Sequence, residues 1–249
     1  MMAKKERFLF GLWNKESGLS GMLVLLFIMH FVAIPFFGSY PHFMVWLNIF
    51  WMLFLFAGIF SLSKHKKQAL LISIIPILFV VIQCIDYFNR NIIILFADLF
   101  LSIAVMALLI IMVLKKVLEP GPVTTYRIIG SVVVYMLLVH FWCTLYLFLF
   151  RHIEGSFNLV ESKFEINSDQ ASFMYFSYIT MSSTGYGEIV PLHPLARSLV
   201  QIEVLTGVLY PVILIGRLVS DANFSIQKNK IKFNQSYLNQ NKHENNQFN

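Results

Sequence analysis

Gly185 and Gly187 flank a single tyrosine in the run Ser182-Ser183-Thr184-Gly185-Tyr186-Gly187-Glu188, and the chemistry this spacing offers belongs to the main chain. Glycine enters backbone conformations closed to other residues, so such a run can aim successive carbonyl oxygens in one direction. A row of oxygens arranged in this way takes the place of the water shell around a dehydrated cation. No competing chemistry is visible in the chain. There is no Ser/His/Asp constellation, nucleotide-binding loop or metal cluster, so neither an enzyme nor a bound cofactor is expected. Cys84 and Cys143 each lie inside an apolar run, without disulfide or metal-ligand spacing, and read as small core thiols.

The elements that must hold this run are legible in the composition. Of 249 residues, 57% are hydrophobic and only 13% charged, against about a quarter charged in a soluble domain. This is the composition of an integral membrane protein. A spanning helix needs about 20 apolar residues, because it rises about 1.5 Å per residue through hydrocarbon about 30 Å thick. Six segments qualify: 19–37, 43–62, 69–88, 92–114, 126–150 and 195–220. The formal charge of +6 does not point to a nucleic-acid partner, because the basic residues are scattered over short connections and the tail. Lys4, Lys5, Arg7, Lys15, Lys64, Lys66, Lys67, Lys115, Lys116, Arg127, Lys228, Lys230, Lys232 and Lys242 fall on one side of a six-span topology. The positive-inside rule makes that side the cytoplasm. Both termini are therefore expected inside, in a plasma or inner membrane. The first apolar run is read as a span, not a cleaved leader. Residues 4–15 suit a short interfacial helix, and the Asn-, Gln- and Lys-rich end from about Ser225 suits a polar, mobile tail. The expected organisation is 1–18 as a cytoplasmic segment, 19–118 as a four-helix membrane domain, 124–220 as a second membrane unit and 221–249 as a cytoplasmic tail.

Between the last two spans, Ser168 or Asp169 can cap a helix through Ala171–Met181 that is too short to cross. Its carbonyl end would point to the bilayer centre and place the negative end of the helix dipole there. The chain after it returns outward in extended form, which is tolerated at membrane depth only when buried in protein or lining water. Half-helix, Gly-Tyr-Gly run, Pro191 and a following span together resemble the pore domain of tetrameric potassium channels, whose core pattern is Thr-Val-Gly-Tyr-Gly-Asp. The similarity is specific over about 168–220 and generic before it. It implies an all-α integral membrane fold of six transmembrane helices with a re-entrant pore helix and selectivity-filter loop. It also implies three identical partner subunits around one axis, surrounded by membrane lipid.

Carried over by position, the resemblance implies K+ sites at the carbonyls of Ser183, Thr184, Gly185 and Tyr186, with the Ser183 hydroxyl completing the innermost site and Gly187 permitting the outer turn. It implies that the Tyr186 ring turns away from the ion toward a cuff of Tyr175, Phe176 and Tyr178. Glu188 and Glu203 would support the filter, Glu203 with nearby hydroxyls or Arg197 as partners. Gly207 stands where the family often has a hinge glycine, although a close helix contact would also use a glycine there. Pro211 one turn later should bend the helix, and Val208, Pro211 and Ile215 would face the cavity. Three positions depart from the family pattern: Ser183 for Thr, Thr184 for Val and Glu188 for Asp. None removes a carbonyl.

The remaining charges bear on gating. A voltage sensor needs several Arg or Lys along its fourth helix, and 92–114 holds none; its sole charge is Asp98, while Asp86 has Arg90 nearby. Arg217 should snorkel to the cytoplasm. His30 and His140 read as satisfied structural residues on apolar helices, and His42, His152 and His193 as outer-face groups able to respond to external pH. Glu154, Glu161, Glu165, Asp169 and Glu188 give the outer connection a negative balance that would concentrate cations at a mouth. These features imply a passive cation channel, read as potassium-selective from its filter pattern, with a non-selective cation pore as the alternative that Ser183 and Thr184 permit. A transporter subunit and a non-conducting membrane sensor are the readings from other classes.

Overall fold

The computed structural model describes residues 15–40, 91–119, 121–159 and 168–247, with scattered single helical positions between 43 and 82. The expected spans over 43–62 and 69–88 fall mostly outside the described residues, as does the interfacial helix over 4–15. The described chain is mainly helical. Helix α1 runs through Lys15–Ile28, a π-helical turn Met29–Ala33, and Ile34–Phe37. The π turn comes just before Pro35, which has no N–H to offer the Phe31 carbonyl. Helix α2 is Ile92–Val117, with the Asn91 side chain accepting from the Ile93 N–H at its start. Helix α3 is Thr125–His152, α4 is Asp169–Met181 and α5 is Pro194–Gln247.

Among the described residues, four stretches are long and apolar enough to cross a membrane: Leu19–Phe37, Ile93–Val117, Thr125–His152 and Pro194–Asn223. They coincide with four of the six expected spans to within a few residues. At 13 residues, α4 reaches only about 20 Å, too short for hydrocarbon about 30 Å thick. Helix α3 is the packing centre, and α1, α2, α4 and α5 all lie against it. Leu19, Leu26 and Ile34 of α1, Leu109 and Val113 of α2, and Val133, Leu137 and Cys143 of α3 are fully buried. Gly130 lets α2 and α3 approach closely, since a Cβ there would lie 2.7 Å from Val117 Cγ2. Between hydrocarbon-embedded helices such close packing, rather than exclusion of water, supplies the attraction.

Two features add to the expected helices. Strands β1 (Phe157–Leu159) and β2 (Ile189–Pro191) pair antiparallel, with Phe157 opposite Pro191 and Leu159 opposite Ile189. They tie the segment after α3 to the residues that follow Gly187. Polar residues after Ser225 continue α5 as helix to Gln247; Lys and Gln have good intrinsic helix propensity, and the preceding span supplies the nucleus that a short polar peptide lacks.

Candidate functional site

The site is built where α4 ends. Ser168 caps α4 by accepting from the Ala171 N–H at 3.4 Å, and Phe173, Met174, Ser177 and Met181 bury the helix against its neighbours. At its far end the Ser182 N–H donates to the Tyr178 carbonyl at 3.0 Å and the Ser183 N–H to the Thr180 carbonyl at 2.9 Å. The next two N–H groups, of Thr184 and Gly185, both donate to the Ile179 carbonyl at 2.8 and 3.1 Å. The described peptide bonds are trans, and a trans peptide holds its C=O opposite its N–H. The Ser183 and Thr184 carbonyls therefore point away from α4.

Backbone handedness extends that arrangement. Ser183, Gly185 and Gly187 have φ of 58°, 53° and 92°, whereas Thr184 and Tyr186 between them stay out of the positive region. Alternating left- and right-handed residues turn successive carbonyls to one side. Glycine takes such angles freely, but serine does so at about 1–2 kcal/mol, a strain at Ser183 that the sequence does not reveal. Residues 182–188 are all exposed in the single chain, and the Ser182 and Thr184 hydroxyls meet at 2.9 Å.

The aromatic residues around this run point in different directions. Tyr186 is 68% exposed. Phe176 is turned inward, packing its ring 5.3 Å from Tyr146 and 5.9 Å from Phe157. Tyr178 packs on α1, 5.2 Å from the Phe31 ring. Tyr175 lies beside the outer end of the run and donates to Glu188 Oε1 at 3.3 Å. Of the residues expected to support the run, Tyr175 and Glu188 join directly.

Glu203 is fully buried and draws three helices together. It accepts from the Tyr146 hydroxyl of α3 at 2.6 Å and from the Ser177 hydroxyl of α4. Ser177 Oγ also lies 3.0 Å from the Val139 carbonyl. The expected alternative partner, Arg197, instead donates to the Pro191 carbonyl at 3.1 Å and so braces β2. Gly207 is a close-contact residue: a Cβ there would stand 2.7 Å from Met181 Cα and 2.8 Å from its carbonyl carbon. Helix α5 continues through Gly207 and Pro211 without interruption. Val208 and Ile215 are exposed at 47% and 60%, and Pro211 is half-buried.

At the end of α3 away from the Gly-Tyr-Gly run, Arg127 is a residue whose role the sequence did not disclose. It is buried, and its guanidinium donates to the carbonyls of Val117 at 2.7 Å, Gly121 at 2.9 Å and Pro122 at 3.4 Å. It also pairs with Asp221 of α5 at 2.7 Å, where Arg217 approaches the same carboxylate at 3.6 Å. The turn between α2 and α3 is thus fastened to α5 at Asp221. At the opposite end of α3 Arg151 and Asp169 form an exposed pair at 3.7 Å. His152 and His193 make local contacts, with the Phe148 carbonyl and the Leu195 N–H. Among the described residues no group of three or more His, Cys, Asp or Glu is placed to hold a metal.

None of the curated proteins compared matches the chain. Residues 128–222, which span α3, the capped half-helix, the Gly-Tyr-Gly run and the membrane-crossing part of α5, match the protein-family model described as "Ion channel", and it is to ion channels that this part of the chain is similar.

Proposed function

We propose that four copies of this chain surround one axis and conduct K+ passively through the backbone of residues 183–187. The observation that carries this reading is the alternation of backbone handedness over Ser183–Gly187, with the Thr184 and Gly185 N–H groups committed to Ile179 and the carbonyls left on the exposed side. Oxygens presented in that way substitute for the hydration shell of a cation. A single chain supplies one wall. Exposed irregular backbone at membrane depth requires protein or a water-filled cavity over it, which supports assembly around the run. The carbonyl end of α4 and the Glu188 carboxylate add negative potential along the path. Val208, Pro211 and Ile215 would line the cavity below, and Tyr186 would find its packing partners on a neighbouring subunit.

Potassium flux into liposomes tests the proposal, with Gly185→Ala as the control. A Cβ at Gly185 meets no atom within 4 Å, but φ is 53°, so alanine costs about 1–2 kcal/mol in backbone energy without a clash. Wild-type protein should conduct and Gly185→Ala should lose most of its flux while still folding. Equal flux from both, in folded assemblies, counts against a backbone filter. A non-selective cation pore is the second reading, favoured by the Ser182–Thr184 hydroxyl contact at a place where the family pattern has an apolar valine. Reversal potentials under opposed sodium and potassium gradients separate the two.

A further inference from the structure

The first helix reaches the filter. His30 lies in the π turn of α1 and its Nδ1 is 2.8 Å from the Tyr178 hydroxyl of α4, a link across 148 residues of sequence. His30 is 2% exposed. Its ring stacks on His140 of α3 with centroids 5.6 Å apart, and Trp51 completes the cluster 4.1 Å from the His140 ring and 6.5 Å from the His30 ring. A second contact holds the same two helices at their outer ends. A Cβ on Gly38 would lie 2.5 Å from Ser168 Oγ, the capping atom of α4. Helix α1 thus grips α4 at its cap and again near its carbonyl end.

The inner grip adjoins the atoms that shape the filter. Tyr178 gives its own carbonyl to the Ser182 N–H, and the next carbonyl, that of Ile179, receives the Thr184 and Gly185 N–H groups. A rotation of α4 about its axis moves the Tyr178 side chain and these carbonyls together. The stiff ring of Tyr178 transmits the anchor to the helix, and the His30 ring is itself fixed by stacking. The expectation that His30 and His140 are satisfied structural residues is only partly met, since among the described residues His30 Nε2 and His140 Nδ1 have no hydrogen-bond partner. A purely packing role is filled without such groups by apolar residues of similar size, because an unpartnered buried polar atom is costly.

We infer that His30 is a positioning residue for the conduction filter, holding α4 in the conducting orientation through the Tyr178 hydroxyl. The inference rests on the proposed conduction through residues 183–187 and assigns α1 a part in it.

Single-channel recording of the full chain in planar bilayers tests it, with wild type, His30→Phe, Tyr178→Phe and the double variant. The quantity read is the ratio of time in long closures to time open. Each single substitution should raise that ratio about threefold to tenfold, the range one hydrogen bond of ordinary strength allows. The double variant should be no worse than either single one, because both remove the same bond. His30→Asn, whose amide can occupy the place of Nδ1, should return the ratio toward wild type. A role in packing alone would make the two substitutions additive and would not be relieved by asparagine. Tyr178→Phe deletes one oxygen and keeps the ring, so it carries the test even if His30→Phe does not assemble. Wild-type dwell times in Tyr178→Phe, or additive effects in the double variant, overturn the inference while leaving the channel reading intact. Absence of any conductance in folded wild-type protein overturns both.

Discussion

Gly207→Ala distinguishes two roles for one residue by the sign of a stability change. Were Gly207 a hinge with free space beside it, alanine would stiffen α5 and favour the folded helix by about 1 kcal/mol through propensity. The geometry gives the opposite sign. The new methyl would lie 2.7 Å from Met181 Cα and 2.8 Å from Met181 C, where carbon atoms in contact rest at about 3.5–4.0 Å. Both obstructing atoms are backbone, so no rotation of a side chain makes room, and α4 and α5 must part by roughly 1 Å. Overpacking of this kind costs typically about 1–3 kcal/mol. With backbone on both sides the upper part of that range applies, leaving a net loss of about 1–2 kcal/mol per chain after the propensity gain. Gly216 on the same helix is the control, since a Cβ there meets nothing within 4 Å. Thermal unfolding of purified protein at one fixed scan rate should place Gly207→Ala below wild type and Gly216→Ala at or above it. If Gly207→Ala melts at or above wild type, the contact with Met181 does not hold α4 in place and the reasoning fails.

Three further outcomes follow from the same geometry. Tyr146→Phe leaves the buried Glu203 side chain with one hydrogen-bond partner fewer and should cost about 1–3 kcal/mol, as leaving a buried polar group unsatisfied does; a thermal unfolding temperature equal to wild type would contradict it. Arg127→Lys keeps the charge but loses the fork that reaches three carbonyls and Asp221 together. It should loosen the turn between α2 and α3, seen as faster amide hydrogen exchange over 118–124, and unchanged exchange there would count against the latch. Ser183→Gly relieves a left-handed residue and should gain about 1–2 kcal/mol of backbone energy while removing the hydroxyl; a fall in thermal stability would show that the serine side chain is worth more than the strain it imposes.

The elements with strong signals were legible in the sequence. Apolar length gave the four described spans, because length and hydropathy are all that a bilayer requires of a helix. Ser168 as the cap of α4 was legible from its residue type, and the special backbone at Gly185 and Gly187 from their lack of a Cβ. What depended on distant partners was not. Arg127 reads as one more cytoplasmic cation until the turn between α2 and α3 and Asp221 are brought to it. The His30–Tyr178 link joins residues 148 apart in the chain, and no local pattern announces it. Glu203 was recognisable as a buried carboxylate in need of hydroxyls, but the choice of Tyr146 and Ser177 over Arg197 is a matter of helix rotation. The strand pair had only Ile189-Val190 as a signal, two β-branched residues beside a proline, too short a run to register as a strand.

The claim on which the rest depends is that backbone oxygens of Ser183, Thr184, Gly185 and Tyr186 bind a dehydrated cation on an axis shared by four chains. Anomalous diffraction from crystals grown in rubidium in place of potassium measures this most directly. The account predicts a file of rubidium peaks on a four-fold axis, flanked by those carbonyls. A well-ordered structure with the Gly-Tyr-Gly run away from any symmetry axis and no rubidium beside it would contradict the account.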